Sequence, residues 1–247
     1  MIPQEYNRNH KKWFTRKCLR AIASYNMIRE GEPVCVALSG GKDSTVLLYI
    51  LWYLNRYCDI SFPLAAAHIK TADYDTSVLK SLCRELGVEY LEDEIESKAQ
   101  GDESKICYLC SRLKRGALRK LVQSHNIHVL AYGHHADDVA ETFFMNIVHS
   151  AKLGSFSPTV GVPGSRVKLI RPMIYLRERT IRSIHSYLQL PLLDYTCPHE
   201  PTSRRMQLKE NMTQLDGMFH TTDFVDKLVS SLENIDKTNL WENCGAG

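Results

Sequence analysis

Apolar and polar positions alternate in blocks along the chain. Val34 to Leu38 is a short apolar run rich in β-branched residues, the pattern of a buried parallel strand. Leu64 to Ile69, Val88 to Leu91, Ile127 to Tyr132 and Val167 to Ile170 read as four further strands. Helical patterns lie between and around them. Residues 8–29 form an amphipathic stretch in which Trp13, Leu19, Ala21, Ile22, Tyr25 and Ile28 share much of one face. Val46 to Leu54 is continuously apolar, as in a helix packed on a sheet. A helix capped by Asp73 runs to about Leu86 and stops at Gly87, and others cover Ile106 to Ser124 and Ala136 to His149. Three more are expected near 177–188, 203–216 and 221–236, and Lys152 to Ser165 reads as a loop. The alternation predicts an α/β fold with a doubly wound, five-stranded parallel sheet, helices on both faces and ligands at the C-terminal strand ends. By domains, residues 1–31 read as a basic helical segment, 32–200 as the α/β domain and 201–247 as a C-terminal helical segment.

The first strand feeds the most informative stretch, Ser39-Gly40-Gly41-Lys42-Asp43-Ser44. Its glycines permit backbone angles that a β-carbon forbids. A glycine turn entering a helix aims free N–H groups and a positive dipole end at one point. The hydroxyls of Ser39 and Ser44 and the ammonium of Lys42 add donors, making a phosphate or pyrophosphate site. The spacing is not that of a Walker A loop. The hexad resembles the PP-loop of the N-type ATP pyrophosphatases, enzymes that cleave ATP between the α and β phosphates and adenylate a substrate oxygen.

Composition adds compartment and partner class. With 44% hydrophobic and 24% charged residues the chain resembles an ordinary soluble protein. No apolar run is long enough to span a bilayer, and the opening lacks the apolar core of a signal peptide, so the expected location is the cytoplasm. The eight cysteines are then expected as thiols or metal ligands. The net charge of +3 is uneven. Arg8, Lys11, Lys12, Arg16, Lys17 and Arg20 form one basic cluster; Arg112, Lys114, Arg115, Arg119 and Lys120 form another; Arg166, Lys168, Arg171, Arg177, Arg179 and Arg182 form a third. Such clusters suit a polyanion, although each is also what a solvated helix face looks like.

Cys107-Tyr108-Leu109-Cys110 places two sulfurs three residues apart on one helix face. A redox pair, half a zinc site and two core cysteines all have this spacing. Cys197, after the fifth strand, can complete a three-thiolate set, with His199 available as a fourth zinc ligand. Three thiolates alone suit a [4Fe–4S] cluster with one open iron. Cys35 and Cys83 read as core residues.

After the fourth strand comes Gly133-His134-His135-Ala136-Asp137-Asp138. Gly133 allows close approach of backbone to a nucleotide, and Asp137 or Asp138 can bind Mg²⁺ or take a proton, unless one merely caps the helix. A zinc hydrolase is the competing reading of paired His and Asp.

Taken with Cys107-x-x-Cys110-Ser-Arg-Leu-Lys114, Glu141-Thr142-x-Phe144-x-Asn146 and Ile170-Arg171-Pro172-x-x-Tyr175-x-Arg177-Glu178, these motifs resemble the tRNA 2-thiocytidine synthetase family over nearly the whole chain. That family is related to the tRNA 2-thiouridine and tRNA-lysidine synthetases. The resemblance implies ATP-dependent thiolation of a tRNA base with a three-cysteine [4Fe–4S] cluster, and places Cys107, Cys110 and Cys197 at the ligand positions. It places Ala37, Leu38, Ser39, Asp43, Ile69, Gly133 and Asp138 at nucleotide-contact positions, and Lys114 at one serving ATP handling or catalysis. Expected catalytic groups are Lys42, Asp43, Lys114 and Asp138; expected cofactors are ATP, Mg²⁺ and the cluster. The expected partners are tRNA and a sulfur donor, either cysteine desulfurase-derived or inorganic sulfide, with no membrane and with a homodimer left open. A lysidine-type ligase would share the adenylation without needing the cysteines, and a sulfurtransferase acting on another tRNA base or a small molecule would share ATP and cluster. Two stretches depart from the family: Lys70 stands where an acid is usual, with Thr71 to Asp75 replacing a Gly-rich aromatic loop, and Pro198-His199-Glu200 follows the third cysteine.

Overall fold

Six strands form one sheet in the order β3-β2-β1-β4-β6-β5: β1 Val34–Ala37, β2 Leu64–Lys70, β3 Glu89–Glu94, β4 Val129–Ala131, β5 Thr159–Gly161 and β6 Lys168–Ile170. The computed structural model describes residues 5, 7–95, 103–161, 164–195, 218 and 220–235, without the side chains of 103–108. β1 pairs in parallel with β2 and β4, β2 with β3, and β4 with β6. The expected five parallel strands are therefore corrected to six in a mixed sheet. β5 lies within the stretch read as a loop and pairs antiparallel with β6, Val160 opposite Leu169. Three residues are too few to display a period of two, and Pro158 just ahead of β5 is tolerated because an edge strand needs no ladder donor there.

The N-terminal helix begins with Arg8–His10, passes through a π turn at Lys11–Thr15 and continues as Arg16–Ser24. It stops short of residue 29 because Asn26 turns left-handed (φ 47°) and Met27 N–H closes on Ile22 O at 3.0 Å. Its buried face carries Phe14, Cys18, Ala21 and Ile22. The helix after β2 spans Ser77–Leu86, starting about three residues later than expected. Asp75 rather than Asp73 accepts from the Ser77 N–H, at 2.8 Å. It ends at left-handed Gly87 (φ 66°), as the sequence predicts. The remaining helices are Lys42–Tyr57, Glu103–Ser124, Ala136–Ser150, Glu178–Leu188 and Phe224–Glu233. The helix expected at 203–216 lies outside the described residues.

Strand alternation splits the core in two. Val34, Val36 and Leu38 pack on one side with the Lys42–Tyr57 and Ser77–Leu86 helices, while Cys35 and Ala37 pack on the other with Leu118 and Val122 of Glu103–Ser124. Lys42–Tyr57 is buried from Ser44 to Leu54, which explains its continuous apolar run. Each such side chain taken fully out of water contributes about 1.5–3 kcal/mol. The order reverses between β1 and β4: the chain leaves β1 toward β2 and leaves β4 toward β6. In a doubly wound sheet the ligand crevice opens at the C-terminal ends of that pair.

Candidate active site

At the C-terminal end of β1, Leu38 N–H still bonds Ala67 O at 2.8 Å before the chain turns at Gly40 (φ +87°). A β-carbon on Gly40 would lie 2.4 Å from Leu193 Cβ, so glycine is required on two counts. Leu193 N–H donates to Gly40 O at 2.9 Å, laying residues 192–195 across the turn. Gly41 begins the Lys42–Tyr57 helix. Its N–H points at Ser39 Oγ (3.4 Å), Ser39 Oγ donates to Ser44 Oγ (3.0 Å), and Ser44 Oγ bonds Gly41 O (2.9 Å). The turn is thus held closed by its own hydroxyls at a helix N-terminus, where an anion is favoured.

Lys42 Nζ lies 2.9 Å from Asp43 Oδ1 and 3.0 Å from Glu178 Oε1. Burial works against its ammonium, but these two carboxylates outweigh it and raise its pKa. Glu178 is buried, opens the Glu178–Leu188 helix, and also holds Arg182 at 3.1 Å.

The Gly133–Asp138 stretch enters beside this turn, as expected from β1–β4 pairing. A β-carbon on Gly133 would sit 3.0 Å from the backbone C and O of Asp43, so the clearance is for the first turn of the neighbouring helix. Asp138 accepts from His135 N–H at 2.9 Å, and buried His135 lies 3.5 Å from Asp138 and 3.9 Å from Asp43. Asp137 turns the other way, to Arg177 Nε (3.1 Å) and the Glu178 N–H (2.6 Å).

One cleft of about 1000 Å³ gathers Ala37, Leu38, Ser39, Gly40, Gly41, Lys42, Asp43 and Ser44 with Ile69, Lys114, Gly133 and Asp138. Asp137 does not line it. Several lining residues carried no signal in the sequence. His68 binds Leu38 O through Nδ1 (2.7 Å) and Tyr74 Oη through Nε2 (3.0 Å), and burial lowers its pKa. Tyr74 stacks on Tyr195 with centroids 4.2 Å apart. Arg171 and Glu178 lie in motifs quoted above, but nothing in the spacing assigned them roles. Arg171 lines the cleft with its guanidinium 4.7 Å from the Phe156 ring centroid, and burial lowers its pKa.

Cys110 is half-buried on the Glu103–Ser124 helix, next to Ser111, which lines the cleft, and one turn from Lys114. The Cys107 side chain and the whole of Cys197 lie outside what is described, as does His199. Tyr195, two residues ahead of Cys197, lines the cleft. Among the described residues no three His, Cys, Asp or Glu side chains form a metal-holding group. Cys35 and Cys83 are core residues as expected, and burial pushes the Cys83 thiol up to about 12. Of the basic clusters, the third is largely committed internally, with Lys168 on Glu32 (3.3 Å) and Arg177 on Asp137 and Asp226. Arg112, Arg115 and Lys120 of the second are exposed. No described helix is long and apolar enough to cross a membrane.

A mostly parallel sheet with a glycine turn, serine clasp and lysine at its switch point defines a nucleotide-binding α/β protein of the PP-loop kind. The ATP_bind_3 PP-loop domain model matches residues 10–212. The tRNA-cytidine(32) 2-sulfurtransferase of Xanthomonas euvesicatoria is 36% identical over 218 residues, covering 84% of this chain and 71% of that protein. The protein of the same name from Pseudomonas fluorescens is 34% identical, covering 93% and 86%. The chain belongs to the PP-loop family, in its tRNA-cytidine(32) 2-sulfurtransferase branch. Its fold is also similar to that of the U34-tRNA thiolase NcsA from Methanococcus maripaludis, solved with its [4Fe–4S] cluster (TM-score 0.70, 19% identity, 95% of this chain and 86% of that one).

Proposed function

We propose that this protein is an ATP-dependent tRNA thiolase that adenylates the C2 carbonyl oxygen of a cytidine and replaces that oxygen with sulfur. The observation that carries the reading is the content of one cleft. It is lined by the phosphate turn and by Lys114, Asp138 and Tyr195, and Cys110 immediately precedes Ser111 on its wall. Cys197 follows Tyr195 by two residues, a tether of at most about 7 Å.

The N–H groups at the start of the Lys42–Tyr57 helix bind the β and γ phosphates. Asp43 and Asp138, hard oxygen donors lining the cleft, suit Mg²⁺. The base oxygen attacks the α phosphorus, the bond to the β-phosphate oxygen breaks and pyrophosphate leaves. Lys42 and Lys114 offset the charge that develops. Adenylation turns the base oxygen into a good leaving group, so a sulfur nucleophile adding at carbon expels AMP. Cys107, Cys110 and Cys197 match the donor set of a three-thiolate [4Fe–4S] cluster, which when bound supplies an anionic site for that sulfur. The exposed Arg112, Arg115 and Lys120 hold tRNA phosphates beside the cleft. The sulfur reaches the site from a cysteine desulfurase or as inorganic sulfide.

The test is Cys197→Ala. It abolishes formation of the thiolated nucleoside while ATP binding stays within about twofold of wild type. Full thiolation by this variant overturns the three-cysteine site. Cells lacking the protein should yield tRNA without 2-thiocytidine.

A further inference from the structure

Three side chains that depart from the family's pattern or stand beside its departures pile up at the cleft. Lys70 is the last residue of β2, Tyr74 comes from the replaced stretch that follows it, and Tyr195 comes from the segment ahead of Cys197. Tyr195 lies nearly parallel to Tyr74, with 21° between planes and 4.2 Å between centroids. Lys70 Nζ sits over the Tyr74 ring at 5.6 Å and is itself held by Asp73 at 3.4 Å. Tyr74 is fixed from behind. Leu38 O can only accept, so His68 Nδ1 carries the proton, His68 Nε2 accepts, and Tyr74 Oη donates. The pile is therefore anchored to the strand that feeds the phosphate turn, and the half-buried Tyr195 ring lines the cleft together with Tyr74. Lys114 and Arg115 line the same cleft from the Glu103–Ser124 helix, and Arg115 offers a cation for a nucleic-acid backbone.

A tRNA base can reach an adenylating site only if it leaves its own stack, and proteins commonly receive such bases on aromatic faces. We propose that the Lys70–Tyr74–Tyr195 pile is the stacking platform for the unstacked target base. The proposal rests on the thiolation reading and adds the residues that receive its substrate. The ligand is a nucleobase, and the RNA base is favoured over adenine because Arg115, exposed at the rim of the same cleft and not used on ATP, suits the phosphodiester backbone that a tRNA carries on either side of its base.

The experiment is a cycle between a protein change and an RNA change, read as tRNA binding and so independent of sulfur chemistry. Wild type, Tyr195→Ala and Tyr195→Phe are titrated with the unmodified tRNA transcript and with the same transcript made abasic at the target position, in the presence of a non-hydrolysable ATP analogue. Tyr195→Ala weakens binding of intact tRNA roughly tenfold, the usual order for one stacked base. Tyr195→Phe binds like wild type, the abasic transcript binds wild type as weakly as intact tRNA binds Tyr195→Ala, and the two losses do not add. Additive losses, or unchanged tRNA affinity in Tyr195→Ala, overturn the platform and leave the thiolation reading intact. Weakened binding of the ATP analogue with unchanged tRNA binding assigns the pile to adenine and overturns it as well. Failure of wild type to bind tRNA at all removes the thiolation reading itself, and the platform with it.

Discussion

Glu178 Oε1 lies 3.0 Å from Lys42 Nζ and ties the start of the Glu178–Leu188 helix to the phosphate turn. The same residue's N–H donates to Asp137 at 2.6 Å, so the Arg177-Glu178 pair clamps both loops that meet at the β1–β4 switch point. Lys42 is thus charged and aimed before any nucleotide arrives, which is the preorganisation a developing negative charge requires.

Replacing Glu178 with Gln keeps its size and removes one of the two charges on Lys42. AMP and pyrophosphate formation should fall about tenfold or more, with ATP affinity changed less. Glu178→Ala should in addition lower stability by about 1–3 kcal/mol, because Lys42 and Arg182 each lose a buried partner. Urea unfolding and steady-state kinetics separate the two effects.

Gly133→Ala tests the approach of the two loops. Its β-carbon would meet the Asp43 backbone at 3.0 Å and Ser44 N at 3.2 Å, and backbone at a helix start cannot swing aside as a side-chain tip does. A cost of about 1–3 kcal/mol is expected, together with weaker ATP binding from a displaced turn. A variant with unchanged melting temperature and ATP affinity would show that the loops have slack.

His10 should make stability depend on pH away from the cleft. It is 1% exposed, neither ring nitrogen has a hydrogen-bond partner among the described residues, and the rings of Phe14, Tyr49 and Tyr53 lie within 5.8 Å. Burial lowers its pKa to about 4. Between pH 6.5 and about 4 the unfolded chain therefore binds the extra proton, so stability rises with pH there. The stabilisation is complete above about 6.5 and is lost as pH falls toward 4, by roughly 3 kcal/mol. Denaturant melts at pH 7.5 and pH 4.5 should show the loss in wild type and a smaller one in His10→Phe.

The parts of the site legible in the sequence were those carried by local spacing. The hexad after β1 and the Gly133–Asp138 stretch after β4 each announce a strand end, and parallel pairing of β1 with β4 brings them together. Cys35 was legible as core because it sits in an apolar strand, and Cys83 because it shares a helix face with Leu79, Leu82 and Leu86. What spacing could not show was contact between distant segments. His68 meets Leu38 across 30 residues, and Lys42 meets Glu178 from opposite ends of the domain. The edge strand Thr159–Gly161 was lost for a different reason, being shorter than the period that would reveal it. Gly133, expected to give clearance to a nucleotide, lines the cleft, and the close approach that the structure shows at it is that of the Asp43 backbone.

The motif by itself offers Asp137 or Asp138, the family resemblance favours Asp138, and the structure gives the two carboxylates different surroundings. Asp137 accepts from Arg177 Nε and the Glu178 N–H and does not line the cleft, so its charge is spent inside the protein. Asp138 lines the cleft while its Oδ2 accepts from His135 N–H. Asp137→Asn should chiefly destabilise, by about 1–3 kcal/mol, because an amide cannot accept from both donors with full charge. Its residual activity at low temperature should approach that of wild type. Asp138→Asn keeps an oxygen for the His135 N–H and should melt within about 1 kcal/mol of wild type. Its adenylation rate should drop at least tenfold, with a raised Mg²⁺ requirement, since one of two hard carboxylates at the phosphates is gone. The opposite pattern, a stable but inactive Asp137→Asn beside an active Asp138→Asn, would move the metal-binding acid one residue back and require the Arg177 pair to open when nucleotide binds.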